Sequence, residues 1–337
     1  MTQAPLEVLP RVSVIMPVLN EERHLREAVV QILHQDYSGE IEVVMAVGPS
    51  KDGTLQVAQS LATEFASVHV VDNPSGRTPA ALNAAIERAT GDVVVRVDGH
   101  ALIPYDYIAC GVRVLAETGA DNVGGIMDAT GSTPFESAVA RAMTSRFGVG
   151  GAAFHVGGEP GPALTVYLGC FRADALARVG GYDESMERAQ DWEMNLRIRQ
   201  TGGVVWFTPQ MRVEYRPRAD ARALARQYHD YGRWRREVAR RHPETISVRY
   251  LAAPLAVVLV ALGLIVGVLG VLFGATWLAV LGLAMPVGYV FVNLLASIAS
   301  AAGRPRLQLR AALALPVVYA TMHGAWGLGF LRGARGA

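Results

Sequence analysis

The chain lacks charge over a stretch where a soluble domain would carry it. Between Arg249 and Arg304 stand 54 residues without one Asp, Glu, Lys, Arg or His. Roughly 20 apolar residues cross a bilayer once, so the run is long enough for two crossings, and helices buried in a soluble domain account for it less well. Cysteine is scarce. Cys110 and Cys170 are the only two, neither in a CxxC nor in a His-rich setting, which argues against zinc or redox chemistry and suits a reducing compartment. The opening residues MTQAPLEVLPRVSVIMPVLNEE lack a basic region followed by an apolar core and a small-residue cleavage site, so the first domain is expected to stay in the cytoplasm. Net charge is low as well, at +1, but it is unevenly spread. From Arg212 to Arg249 there are eleven arginines against five acids, a basic patch beside the apolar run. Because the patch leads straight into that run, an anionic membrane surface suits it better than nucleic acid.

What the first hundred residues do contain is an alternation of short β-branched runs with longer helical patterns, the mark of βαβ units and a mostly parallel, Rossmann-like α/β sheet. Strands are expected at 12–17, 41–47, 68–71 and 92–97, with helices at 21–35, 54–65 and 79–89. Ligands of such sheets bind beyond the carboxyl ends of the strands, and Asn20, Asp52 and Asp98 each follow such an end. Residues 130–169 are rich in glycine and small side chains and read either as a ligand-shaped loop or as a plain irregular connection. A helix is expected at 192–200 and short strands at 204–207 and 211–215. Arginines alternate with Leu224, Tyr228, Tyr231, Trp234 and Val238 over 222–241, the spacing of a helix lying on a membrane surface or of an ordinary solvated basic helix.

The organisation that follows is a cytosolic α/β domain over 1–211, a basic amphipathic segment over 212–249 and a membrane anchor over 250–337, with crossings at 251–273, 276–300 and 311–331. The loop between the last two carries Arg304, Arg306 and Arg310, which places it and the basic patch on the cytoplasmic side of the cell membrane. Three crossings leave Arg332 and Arg335 outside, against the same rule; a re-entrant third segment would remove the conflict.

Two constellations can carry chemistry. Asp98 ends the run Asp92-Val-Val-Val-Arg-Val-Asp98-Gly-His100, where a carboxylate emerging from a strand suits Mg2+ or Mn2+ and His100 offers a second ligand. Helix capping is the bland role for such an aspartate. Asp191, in Glu187-Arg-Ala-Gln-Asp191-Trp-Glu193, reads as a general base or as an N-cap near a helix start.

Pro17-Val-Leu-Asn-Glu21, Ser50-Lys-Asp52-Gly-Thr54, the stretch from Asn73 to Asn83, Val97-Asp98-Gly-His100, Gly180-Gly-Tyr-Asp-Glu184 and Gln190-Asp191-Trp192 occur in order, and together they resemble the family 2 glycosyltransferases with the GT-A nucleotide-diphospho-sugar transferase fold. Within that family the chain most resembles the ExoA-type enzymes of exopolysaccharide and succinoglycan biosynthesis. The resemblance covers about residues 10–240. It implies a metal-dependent, inverting transfer of a sugar from a UDP- or GDP-sugar, and the anchor with its basic collar points to a lipid-linked glycan or polyprenyl-phosphate acceptor at the membrane. It implies Asp191 as catalytic base, Asp98 as metal ligand with His100 where a second acid often stands, Pro17, Glu21 and Asp52 lining the nucleoside pocket, and Arg77 near the diphosphate. Arg233 and Trp234 after Gln227 resemble the QxxRW element of processive members, at a longer spacing, and with it imply donor contacts. The sequence departs from the family at Gly48, where an acid often precedes the glycine of the second-strand motif, and at Gln190, where an acid usually precedes the base. A polyprenyl-phosphate sugar synthase and an inactive scaffold of a polysaccharide assembly are the alternative functions.

Overall fold

Apolar residues fill both faces of the first strands because both faces are covered. The structure is a computed structural model and describes residues 6–334; Arg335 lies outside them. Strands β1 (Val12–Val18), β2 (Ile41–Val47), β3 (Val68–Asp72) and β4 (Val93–Arg96) pair in parallel in the order β3-β2-β1-β4. Parallel neighbours need crossovers, which α1 (Leu25–Leu33), α2 (Thr54–Glu64) and α3 (Thr78–Arg88) supply. Val14 and Met16 pack with Leu25, Val29 and Leu61 on one face, while Ile15, Val44 and Ala46 meet Ala81, Leu82 and Ala85 on the other. Chain order reverses at β1, whose neighbours are β2 and β4, so a crevice opens at their carboxyl ends, the usual ligand position in such sheets.

Beyond β4 the sheet turns mixed. Helix α4 (Tyr107–Thr118) and strand β5 (Asn122–Ala129) follow, in a region where the sequence carried no assigned element. Residues 129–151 then form part of a second unit, with α5 (Pro134–Met143) and α6 (Arg146–Val149). The first unit resumes with α7 (Ala153–Val156), β6 (Gly161–Pro162), β7 (Tyr167–Arg172), α8 (Ala173–Val179), α9 (Gln190–Gln200) and β8 (Val205–Tyr215). Strand β7 runs antiparallel to β4 and to β5, so the sheet is parallel only through its first half. The two short strands expected near residue 210 are one, because Pro209 does not interrupt β8.

Of the described residues, the second unit takes 129–151 and those from 216 onward. Its helix α5 starts on a capping box, Thr133 accepting from the Glu136 amide and Glu136 accepting from the Thr133 amide. Helix α10 (Ala221–Arg241) precedes three apolar helices, α11 (Val248–Leu272), α12 (Thr276–Ala302) and α13 (Leu309–Arg332). All three are long and apolar enough to cross a membrane, with mean hydropathies of 3.0, 2.0 and 1.2. Gly263, Gly267 and Gly282 let α11 and α12 approach closely, since a Cβ on any of them would meet the facing helix.

Candidate active site

Arg96 organises the site. It is the last residue of β4, 5% exposed, and a buried guanidinium must find acceptors or it destabilises the fold. Its Nε and one terminal nitrogen donate to Asp98 Oδ1 at 3.1 and 3.0 Å, and the other terminal nitrogen donates to Asp191 Oδ1. One cation thus joins the two carboxylates singled out in the sequence, 93 positions apart (191 − 98). Burial pulls the Arg96 pKa down, but Asp191 and Asp98 outweigh it and hold the group protonated. Arg96 is not among the candidates that the motifs single out. Its signal was present: an arginine inside a fully buried four-residue strand needs carboxylate partners.

Neither aspartate caps a helix. Asp191 occupies the second position of α9, whose N-cap is Ala189, and α4 is preceded by its own Asp106. Ala189 sits at φ 63°, a left-handed conformation costly for an L side chain, and it turns the chain so that α9 opens with Asp191 facing Arg96. Desolvation raises the Asp191 pKa above the usual carboxylate value; Arg96 opposes that rise and Asp98 adds to it. Tyr182, 3% exposed, lies close enough to Arg96 and Asp191 to feel their charges and lines the dry side of the site.

The loops after β1 and β2 are laced together. Asn20, at φ 58°, accepts from the Lys51 amide at 2.8 Å while its own amide donates to Ser50 Oγ at 3.0 Å. The Glu21 amide donates to Thr54 Oγ1, and the Thr54 hydroxyl donates to Asp52 Oδ1. That hydroxyl bond, with amide bonds from Thr54 and Glu22, holds the Asp52 carboxyl below the usual range. Pro17 is the penultimate residue of β1, which leads into the first of these loops. Glu21 reaches His100, with Nδ1 and Oε1 2.8 Å apart, so a nucleoside-pocket candidate and a metal-ligand candidate touch. Arg77, just before α3, stands 3.9 Å from Glu187 at the surface. Gly181, at φ 74°, passes so close to Asn83 that a Cβ would collide with its amide, and Asn83 in turn bonds both Tyr182 main-chain groups.

Arg233 and Trp234 lie on α10, in the second unit. Trp234 is 6% exposed, and Arg233 donates to the Gly333 carbonyl at 3.3 Å and lies 3.7 Å from Asp230. These contacts give both residues a packing role there.

The donor set suits a divalent cation completed by substrate. Among the described residues no three His, Cys, Asp or Glu side chains form a protein cage. Mg2+ and Mn2+ seldom need one, taking one or two carboxylates with phosphate oxygens and water. Both Arg96 bonds to Asp98 fall on Oδ1 and leave Oδ2 out of that pair. Glu21 holds the His100 ring as a carboxylate holds a ligating imidazole.

Comparison with known proteins places these residues in context. The model of the family described as glycosyl transferase family 2 matches residues 13–179. The succinoglycan biosynthesis protein ExoA of Rhizobium meliloti is 34% identical over 95% of this chain and 93% of its own. A dolichyl N-acetyl-alpha-D-glucosaminyl phosphate 3-beta-D-2,3-diacetamido-2,3-dideoxy-beta-D-glucuronosyltransferase of Methanococcus voltae is 25% identical over 66% of this chain and 71% of its own. Among solved structures, the mannosyltransferase PcManGT from Pyrobaculum calidifontis, in complex with GDP-Man and Mn2+, superposes with a TM-score of 0.61 at 22% identity, covering 98% of this chain and 88% of that one.

Proposed function

The chain belongs to glycosyl transferase family 2, and from that premise we propose that it is a membrane-bound, metal-dependent inverting enzyme moving a sugar from a nucleoside-diphosphate donor to a lipid-linked or polysaccharide acceptor. The observation that carries this reading is the shared hold of Arg96 on Asp98 and Asp191. It holds on one frame a carboxylate that would bind the cation and one that would act as base, and single-displacement transfer needs both at once.

In this reading Asp98, with His100, would hold a Mg2+ or Mn2+ ion, which would supply positive charge against the leaving diphosphate. Pro17, Glu21 and Asp52 line the nucleoside pocket, and Arg77 adds positive charge where the diphosphate gains negative charge. Asp191 accepts the proton of the attacking acceptor hydroxyl from the face opposite the leaving group, so the anomeric configuration inverts. A base is most effective with its pKa near the working pH, and desolvation moves Asp191 in that direction. The apolar helices and the arginines beside them support a lipid-borne acceptor and a catalytic unit on the cytoplasmic face of the cell membrane. The Methanococcus relative, named for transfer onto a dolichyl phosphate sugar, supports the same acceptor class.

A panel of UDP- and GDP-sugars, given to the full chain in membranes with Mn2+, tests the proposal. One arm supplies polyprenyl phosphate alone and another a lipid-linked glycan, which separates a polyprenyl-phosphate sugar synthase from a glycan-extending enzyme. Asp191→Asn is expected to abolish transfer and retain donor binding. Absence of transfer from every donor by the unaltered protein would mark it as an inactive scaffold.

A further inference from the structure

We infer that α13 does not cross the membrane but lies along its surface on the side of α10, so that the anchor is a two-helix hairpin and a third helix bedded at headgroup level. The inference rests on the membrane reading above and concerns the second unit alone.

The contacts along α13 carry it. At its approach, Arg141 of α5 donates to the Ser300 carbonyl at 2.6 Å and to the Pro305 carbonyl. Midway, Phe147 of α6 packs edge-on against Tyr319 and His323, with His323 Nε2 2.8 Å from the Phe147 carbonyl. At its end, Gly232 of α10 fits against Trp326 and Phe330, Gly329 fits against the His229 backbone, Arg236 donates to the Phe330 and Leu331 carbonyls, and Arg233 donates to Gly333 just past the helix. Helix α10 bears Asp230, Glu237 and seven arginines. If α13 spanned the bilayer, one of its ends would lie on the far side, and the arginine-bearing segment packed there would have to follow it through the hydrocarbon. Charged side chains at that depth are costly, so both ends belong on one side.

The partners of α13 within the hairpin agree. Gly327 fits against Ala253 and Val257, near the start of α11; Tyr319 bonds Ser300 and the Pro316 carbonyl accepts from Asn293, in the second half of α12. These positions lie towards the hairpin ends that adjoin α10 and the arginine loop, away from the turn at Gly274. The surface left uncovered on α13 is an apolar stripe, with Leu309, Leu313, Val317, Leu328 and Leu331 exposed. Arg304, Arg306 and Arg310 flank its start and Arg332 its end. An apolar stripe bracketed by arginines and continuous with two lipid-facing helices fits the boundary of an anionic bilayer. Both ends of α13 then lie on the side of the arginine loop, and the conflict with the positive-inside rule disappears.

The test is topology mapping of the full chain with the buried Cys110 and Cys170 replaced by serine. Single cysteines are introduced by Ser38→Cys in the catalytic unit, Ala275→Cys at the hairpin turn and Ala337→Cys at the C-terminus, and probed with a membrane-impermeant maleimide on sealed vesicles of both orientations. Positions 38 and 337 are expected to label from one side and 275 from the other. Labelling of 337 together with 275 would overturn the inference, whereas labelling of all three from one side would instead overturn the membrane-crossing reading. Nitroxides at Val317→Cys and Leu264→Cys give a second measure, independent of the termini. Position 317, on the stripe bedded at headgroup level, should lie shallow and be more accessible to an aqueous relaxant than 264, which should favour oxygen; equal depth at the two positions sinks the proposal.

Discussion

At the scale of single residues, Arg96 connects the fold to the proposed chemistry. Replacing it with Met leaves Asp98 and Asp191 facing each other without a cation, and breaking such a pair costs about 2–4 kcal/mol, less than a fully buried pair because both carboxylates are partly exposed. The Asp191 pKa then climbs further, since desolvation remains and the cation that opposed it is gone. A pH profile of kcat for Arg96→Met is therefore expected to show its rising limb displaced to higher pH, while a profile unchanged from wild type would deny Arg96 any part in tuning the base. Asp98→Asn is expected to weaken Mn2+ binding by about tenfold or more, an amount worth about 1.4 kcal/mol, readable by electron paramagnetic resonance of free Mn2+ without any turnover. Asp98 and Asp191 were legible as candidates because acids beside a strand end and a helix start are few. Arg96 is not legible as their link, because Asp191 lies 95 positions from it and only the β4–α9 juxtaposition brings the two together.

At the scale of elements, the parallel half of the sheet is tied at its amino end by Glu42. Only 1% exposed, it accepts from the Ser13 hydroxyl, the Thr90 amide and hydroxyl, and Arg11. Burial alone would raise its pKa, but these donors together depress it. A depressed folded pKa contributes stability that is present above the unfolded value, about 4.3, and is lost as pH falls through the folded value. Glu42→Gln should thus be less stable at neutral pH by about 1–3 kcal/mol. Its denaturation midpoint should also depend less on pH than that of wild type below about 4.3, which urea titrations at several pH values check. Strands β1 to β4 and their helices were readable because buried parallel strands are apolar throughout and punctuated by turns. Helix α4 was not, since Gly111 and β-branched residues blur its period; Gly111 is there because Cys170 leaves no room for a larger residue. Helix α5, inside the glycine-rich stretch, carried a capping-box signal at Thr133 and Glu136 that could have found it.

At the scale of the whole molecule, the second unit is discontinuous, and its first piece, residues 129–151, leaves and re-enters the chain of the first. That piece packs on α13 through Phe147 and Gly148, as well as through α5. A protein cut after residue 247 keeps every candidate site residue but strips the partner from those side chains. It is expected to aggregate or require detergent, whereas the full chain in a bilayer mimetic should be monodisperse; light scattering distinguishes the two. A truncated protein that stays monodisperse without detergent would show that residues 129–151 fold without α13.

The sequence by itself determined the parts governed by local or additive physics. The alternation of strands and helices follows from residue period, the apolar run from the absence of charge, and the family from six short motifs in order. Tertiary structure alone decided what depends on pairing across distance. It showed that β7 reverses direction beside β4, that Arg96 joins Asp98 to Asp191, that Trp234 is buried, and that α13 is embraced by α5, α6 and α10. An apolar helix reads the same whether it crosses a bilayer or lies along it, because hydropathy sums over residues. What separates the two cases is which charged elements are packed against its ends.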